Sequence, residues 1–114
     1  MTHKKKDANH AGVSAIMTAC GALVIDCTAA PRLGFDAIAI HHGKIAFIEV
    51  KDGTLPASKR KLTTNEMTQR MRITTHGGEY VVLLDEEQAQ CWCEDAARQA
   101  RREVNATQNA GQVK

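Results

Sequence analysis

Asp36, Glu49 and Lys51 have the types and spacing to hold a divalent metal ion beside a phosphate group. They lie in the run from Gly34 to Lys51, which reads as two short strands joined by a tight turn. Apolar residues fill both halves, and His42-Gly43 makes a two-residue loop whose glycine is free to take positive φ. With that loop His41 pairs with Lys44, and counting outward sets Asp36 across from Glu49. Strand period two then puts Glu49 and Lys51 on one face, in line with Ile45 and Phe47. Two carboxylates at cross-strand distance repel unless a cation lies between them or one is protonated. A hard divalent ion, Mg2+ or Mn2+, satisfies both, with the Val50 carbonyl and water or substrate phosphate completing its shell. The same residues also have an ordinary explanation: Glu and Lys close solvated strand ends, and Asp after glycine forms turns.

The flanking elements must position this hairpin. Asp7 is a helix-capping residue, Val13, Ile16, Met17 and Cys20 follow at helical spacing, and Gly21 supplies the stop. Ala22 to Thr28 is a strand, and 29–33 is a loop with Pro31 and Arg32. Thr63-Thr64-Asn65-Glu66 is a capping box, with Thr63 as N-cap and Glu66 as its reciprocal partner, opening a helix through about Thr75. Gln69 lies three residues after Glu66, one helical turn on. Gly77-Gly78 breaks the helix, Tyr80 to Leu84 is a strand, and Asp85 to Val104 closes the chain as a helix with Asp85 and Gln88 as a capping pair. The order is α-β-β-β-α-β-α, an α/β chain with a small mixed sheet flanked by helices. Residues 1–6 read as a flexible basic arm, 7–104 as a single domain, and 105–114 as a disordered tail.

Residues 53–61 form a loop whose cations follow the carboxylates directly. A phosphodiester held at a metal needs neutralising partners, and Ser58, Lys59, Arg60 and Lys61 are placed to supply them, with Arg32 as a further DNA contact. The alternative is an exposed, mobile loop. The 114 residues carry 43% hydrophobic and 25% charged side chains and a net charge of +2, too small to establish a polyanionic partner by itself. One domain of this size is small for an enzyme that embraces a duplex, which favours a homodimer. Cys20, Cys27, Cys91 and Cys93 match no zinc spacing, so reduced thiols in a cytoplasmic protein are expected. Neither a membrane span nor a signal core is present in the sequence.

Asp36, twelve intervening residues and Glu49-Val50-Lys51 together resemble the core of the PD-(D/E)xK nuclease superfamily. The longer set, adding Asp7-Ala8-Asn9, Asp52-Gly53, Pro56, Ser58, Arg60, Leu62-Thr63, Gly77-Gly78 and Val81-Val82, resembles the small stand-alone VRR-NUC domains of phages and of replication and repair proteins. The resemblance implies a restriction-endonuclease-like core and a metal-dependent DNA endonuclease that leaves 5′-phosphates, with branched DNA such as a Holliday junction as a candidate substrate. It implies Asp36 and Glu49 as metal ligands and Lys51 as the group that positions water and stabilises developing charge. Three positions depart from the pattern. His10 stands where many relatives carry a metal-site Glu, so it is a ligand, a water-orienting group or a plain surface histidine. Phe35 replaces the proline before the metal-binding Asp, and Glu66 replaces a Gln that helps position the catalytic Lys or water. The departures at His10 and Glu66 motivate an alternative, a DNA-binding or regulatory protein that keeps the nuclease fold and does not cut. A third reading is a cutting subunit whose specificity comes from another protein.

Overall fold

The two central strands follow from their loop. β2 (Ala37–His41) and β3 (Lys44–Val50) pair antiparallel, with His41 opposite Lys44 and Ala37 opposite Ile48. Both loop residues take positive φ, +52° at His42 and +80° at Gly43, as the tightest hairpin loops require. The computed structural model describes residues 9–112, so the expected basic arm at 1–6 and the Asp7 cap lie outside the described residues.

Around the hairpin, β1 (Leu23–Asp26) adds antiparallel to β2, and β4 (Glu79–Leu83) adds parallel to β3. The result is a mixed four-stranded sheet in the order β1-β2-β3-β4. A parallel pair needs a crossover, and α2 (Thr64–Thr75) provides it; α1 (His10–Ala19) and α3 (Glu86–Gln112) complete the fold. Strand alternation sorts the side chains into two faces. Ala37, Ala39, Ala46, Ile48 and Val50 are buried together with Val13 and Met17 of α1 and Ala89, Trp92 and Cys93 of α3. Three small alanines lie on that face, and Trp92 belongs to the same buried cluster. The indole Nε1 donates to Glu79 at 3.2 Å, so its one polar atom is satisfied. The other face carries Phe47, Glu49 and Lys51, and α2 packs against it through β4. That helix is too short to cover the sheet, and Leu23, Ile25 and Ile45 stay 58%, 44% and 51% exposed.

Several boundaries differ from the sequence expectation. β1 is shorter than Ala22 to Thr28, because Asp26 Oδ1 accepts both the Thr28 N–H at 2.8 Å and its hydroxyl at 2.7 Å, which turns the chain. The 53–61 loop contains a 3-10 turn at Ala57–Lys59. α3 runs past the expected bound at Val104 to Gln112; no proline interrupts it, and the Thr107 hydroxyl donates back to the Glu103 carbonyl at 3.0 Å. α1 begins at His10, and the Asn9 amide beside it donates to the carbonyls of Lys51 at 3.0 Å and Leu84 at 2.6 Å. That pair of bonds pins the start of α1 to the segments leaving β3 and β4. All four cysteines are free, and among the described residues no helix is long and apolar enough to cross a membrane.

Candidate active site

The β2–β3 ladder stops one pair short of the carboxylates. The Asp36 N–H donates to the Ile48 carbonyl at 2.8 Å, although Ile48 is already the partner of Ala37. Two residues therefore share one partner, as in a β-bulge, and the chain bends. This corrects the simple count that set Asp36 opposite Glu49. The bend swings the Asp36 carboxylate across the gap, where Oδ2 accepts the Val50 N–H at 2.8 Å. The N–H and C=O of one strand residue point to the same side, so the Val50 carbonyl opens on the Asp36 side. The Tyr80 hydroxyl donates to the Gly34 carbonyl at 2.8 Å and tethers the segment that leads into Asp36.

Glu49 is 2% exposed, and its Oε2 is buried without a hydrogen-bond partner. Lys51, two residues along the same face, places Nζ 3.8 Å from Glu49 Oε1 and 2.8 Å from Glu66 Oε1. Glu66 reaches the site because it is the third residue of α2. Its Oε1 also accepts the Thr63 N–H at 2.8 Å, while Thr63 Oγ1 accepts the Glu66 N–H at 3.2 Å. The expected capping box is present, and the same oxygen that caps α2 holds Lys51. Gln69 is turned away from Lys51: its amide donates to the Arg32 carbonyl at 3.4 Å and accepts from Arg72 at 3.2 Å.

Three acids around one half-buried lysine cannot all carry charge cheaply. Burial, followed by hydrogen bonding with the Glu66 and Asp36 carboxylates and by their charges, pushes the Glu49 carboxyl up to about 11. Glu66 moves the other way. Its burial opposes ionisation but is outweighed by hydrogen bonds from Glu49, Lys51 and the Thr63 backbone and by the Lys51 charge, which together hold it down to about 2. Without a cation, then, Glu49 keeps a proton and Glu66 the charge. Tyr80 is driven well above its ordinary value by burial and then by the negative charge of Glu49, Glu66 and Asp36.

The donor set fits a hard divalent cation. One buried Glu49 oxygen receives no N–H donor, a second carboxylate is anchored beside it, and an ion would displace the proton that Glu49 otherwise shares with its neighbouring acids. Among the described residues no group of three or more His, Cys, Asp or Glu side chains is arranged to hold an ion. The protein ligands would accordingly be Asp36, Glu49 and the Val50 carbonyl, with non-protein oxygens filling the shell. His10 is not a surface residue: it is 4% exposed in the first turn of α1, with Nδ1 unpartnered.

The other expected contacts differ in exposure. Ser58, Lys59 and Lys61 are exposed, and Arg60 is half-buried with an unpartnered Nε. Arg32 is exposed on a 3-10 turn (Pro31–Leu33) that is tied to α2 through its own carbonyl, which accepts from Asn65 at 3.3 Å and from Gln69. Sequence reasoning missed Tyr80 as a support of the site. Its signal is the alignment of Tyr80 with Phe47, which emerges only once β4 is known to run parallel to β3. No protein-family model, no curated protein and no solved structure matches the chain.

Proposed function

We propose that the protein is a metal-dependent DNA endonuclease with a restriction-endonuclease-like core, hydrolysing phosphodiester bonds with Mg2+ or Mn2+. The observation that carries this reading is the Glu49 carboxylate, nearly fully buried with one unpartnered oxygen, beside Asp36 and Lys51. An ionised carboxylate is placed so at a cost of several kcal/mol unless a cation completes it, and otherwise it holds a proton. The bound ion would lower the pKa of water and offset phosphoryl charge. Asp36, fixed by the Val50 N–H, and Glu49, having released its proton, supply the negative oxygens. Lys51 Nζ, oriented by Glu66 at 2.8 Å, donates to the attacking water and to the charge that develops on the phosphate. Ser58, Lys59, Arg60, Lys61 and Arg32 would position the strand through its backbone, His10 is a candidate further ligand, and a second copy would let so small a domain clasp both strands.

The alternative, a DNA-binding protein that does not cut, draws support from one contact: the Lys51–Glu66 pair at 2.8 Å, which occupies the amine that catalysis requires. Incubating the protein with linear, flap, splayed and four-way DNA in magnesium, manganese or chelator separates the two. The nuclease reading expects cutting of at least one structure with a metal and none with chelator. Tight binding of DNA with no cutting in any metal supports the alternative.

A further inference from the structure

Beside the acidic site, on the same face of the sheet, lies a groove of about 380 Å³ lined by Phe47, Gln69, Arg72, Ile73, His76 and Gly78. We infer that this groove seats an unpaired base of the DNA strand whose neighbouring phosphate lies at Asp36, Glu49 and Lys51. The inference rests on the nuclease reading and adds the form of substrate: a strand with an unpaired nucleotide next to the scissile phosphate.

The groove is built by the sequence. Phe47 is two residues before Glu49 and shares its face, so their Cα atoms are about 7 Å apart. This is comparable to the separation of neighbouring phosphates in an extended strand. α2 runs along the same face with Glu66 over Glu49 and Ile73 two turns later near Phe47, so helix and strand bracket both features. The end of α2 can close on β4 this tightly because residue 78 is glycine. A Cβ there would lie 2.7 Å from Ile73 Cγ2, a clash, and 3.5 Å from Phe47 Cε1.

The lining suits a base. Phe47, held edge to face by Phe35 with ring centroids 5.1 Å apart, and Ile73 give apolar walls. Every base has a π face, so an aromatic wall accepts bases without regard to sequence. The polar rim is cationic and directional. Arg72 is among the lining residues, and its Nη1 donates to Gln69 Oε1. His76 Nδ1 lies 2.7 Å from the Arg72 carbonyl, which can only accept, so Nδ1 carries hydrogen and is already engaged. A basic rim on an apolar slot one step from a phosphate site matches a nucleotide better than an apolar peptide, whose docking would leave Arg72 against hydrocarbon.

The test measures anisotropy of a fluorescein-labelled oligothymidylate and of the same strand with abasic sugars, in chelator so that nothing is cut. The wild-type protein is expected to bind the base-bearing strand about 5- to 150-fold more tightly, the range that stacking on one aromatic side chain provides. Phe47→Leu, which keeps apolar volume, is expected to bring the ratio close to one. Arg72→Ala is expected to weaken both strands alike, since a phosphate contact ignores the base. Equal wild-type affinity for the two strands overturns the inference, and this comparison holds even if Phe47→Leu fails to fold. A self-associating protein whose dimerisation, rather than base preference, responds to Phe47→Leu would give the groove to a second copy and also overturn it. Cutting is scored separately with manganese. Cutting without base preference removes the groove and keeps the nuclease, whereas base preference without cutting keeps the groove as a nucleic-acid site and removes the nuclease.

Discussion

Replacing Glu49 by Gln should make the metal-free protein more stable at neutral pH, although the substituted residue is the proposed metal ligand. The Glu49 carboxyl is raised from an ordinary 4.5 to about 11 by burial and by Glu66 and Asp36. Between those values the folded protein holds one proton more than the unfolded chain, so stability falls as pH rises, by about 1.36 kcal/mol per pH unit. From pH 4.5 to pH 7 the loss grows to about 3 kcal/mol, a ceiling that water entry on relaxation would reduce. Glu66, lowered to about 2, acts in the opposite window: it adds stability as pH rises from about 2 to 4.5 and no further change above that. Gln imitates the protonated acid and has nothing to release. Glu49→Gln should therefore match the wild type near pH 4.5 and exceed it by about 2 to 3 kcal/mol at pH 7. Urea unfolding in chelator at a series of pH values reads this difference directly, and taking wild type minus variant cancels the histidines. A variant less stable than wild type at pH 7, or a difference that does not change with pH, would refute the shared-proton description of the site.

Other outcomes follow from the same geometry. Asp36→Asn keeps a carbonyl oxygen for the Val50 N–H, so stability should change by no more than about 1 kcal/mol, while manganese affinity measured by calorimetry should collapse. Lys51→Met should lower single-turnover cutting by about 100- to 1,000-fold with little change in DNA affinity; equal loss of both would make Lys51 a phosphate-docking group. Glu66→Gln retains the cap on Thr63 but offers Lys51 an uncharged oxygen, so it should cost about 1 kcal/mol and change the cutting rate modestly across a metal titration. Unchanged curves would remove Glu66 from the site.

The hairpin was legible because a two-residue loop fixes register: once His42 and Gly43 are the loop, every pair back to Ala37 follows, and the face shared by Phe47, Glu49 and Lys51 with it. The element order was legible from capping pairs and glycine stops, and Thr63 with Glu66 marked the start of α2 to the residue. What periodicity could not carry is the relation between elements. The double use of Glu66 depends on where the first turn of α2 lands on β3, and the bend at Asp36 depends on a backbone bond to Ile48 that no pattern of residue types encodes. The helix bound at Val104 was misplaced for a related reason. The polar composition of 105–112 suggests disorder, yet the segment continues an uninterrupted helix whose earlier turns are anchored by Ala89, Trp92 and Cys93.

The central claim is that Asp36, Glu49 and Lys51 form a metal-dependent phosphodiester-cleaving site, and single-turnover cutting by wild type and Asp36→Asn in manganese tests it most directly. The account predicts products bearing 5′-phosphates from the wild type, none in chelator, and a loss of at least about 100-fold in the variant although it folds and binds DNA. Undiminished cutting by a folded Asp36→Asn protein would contradict it.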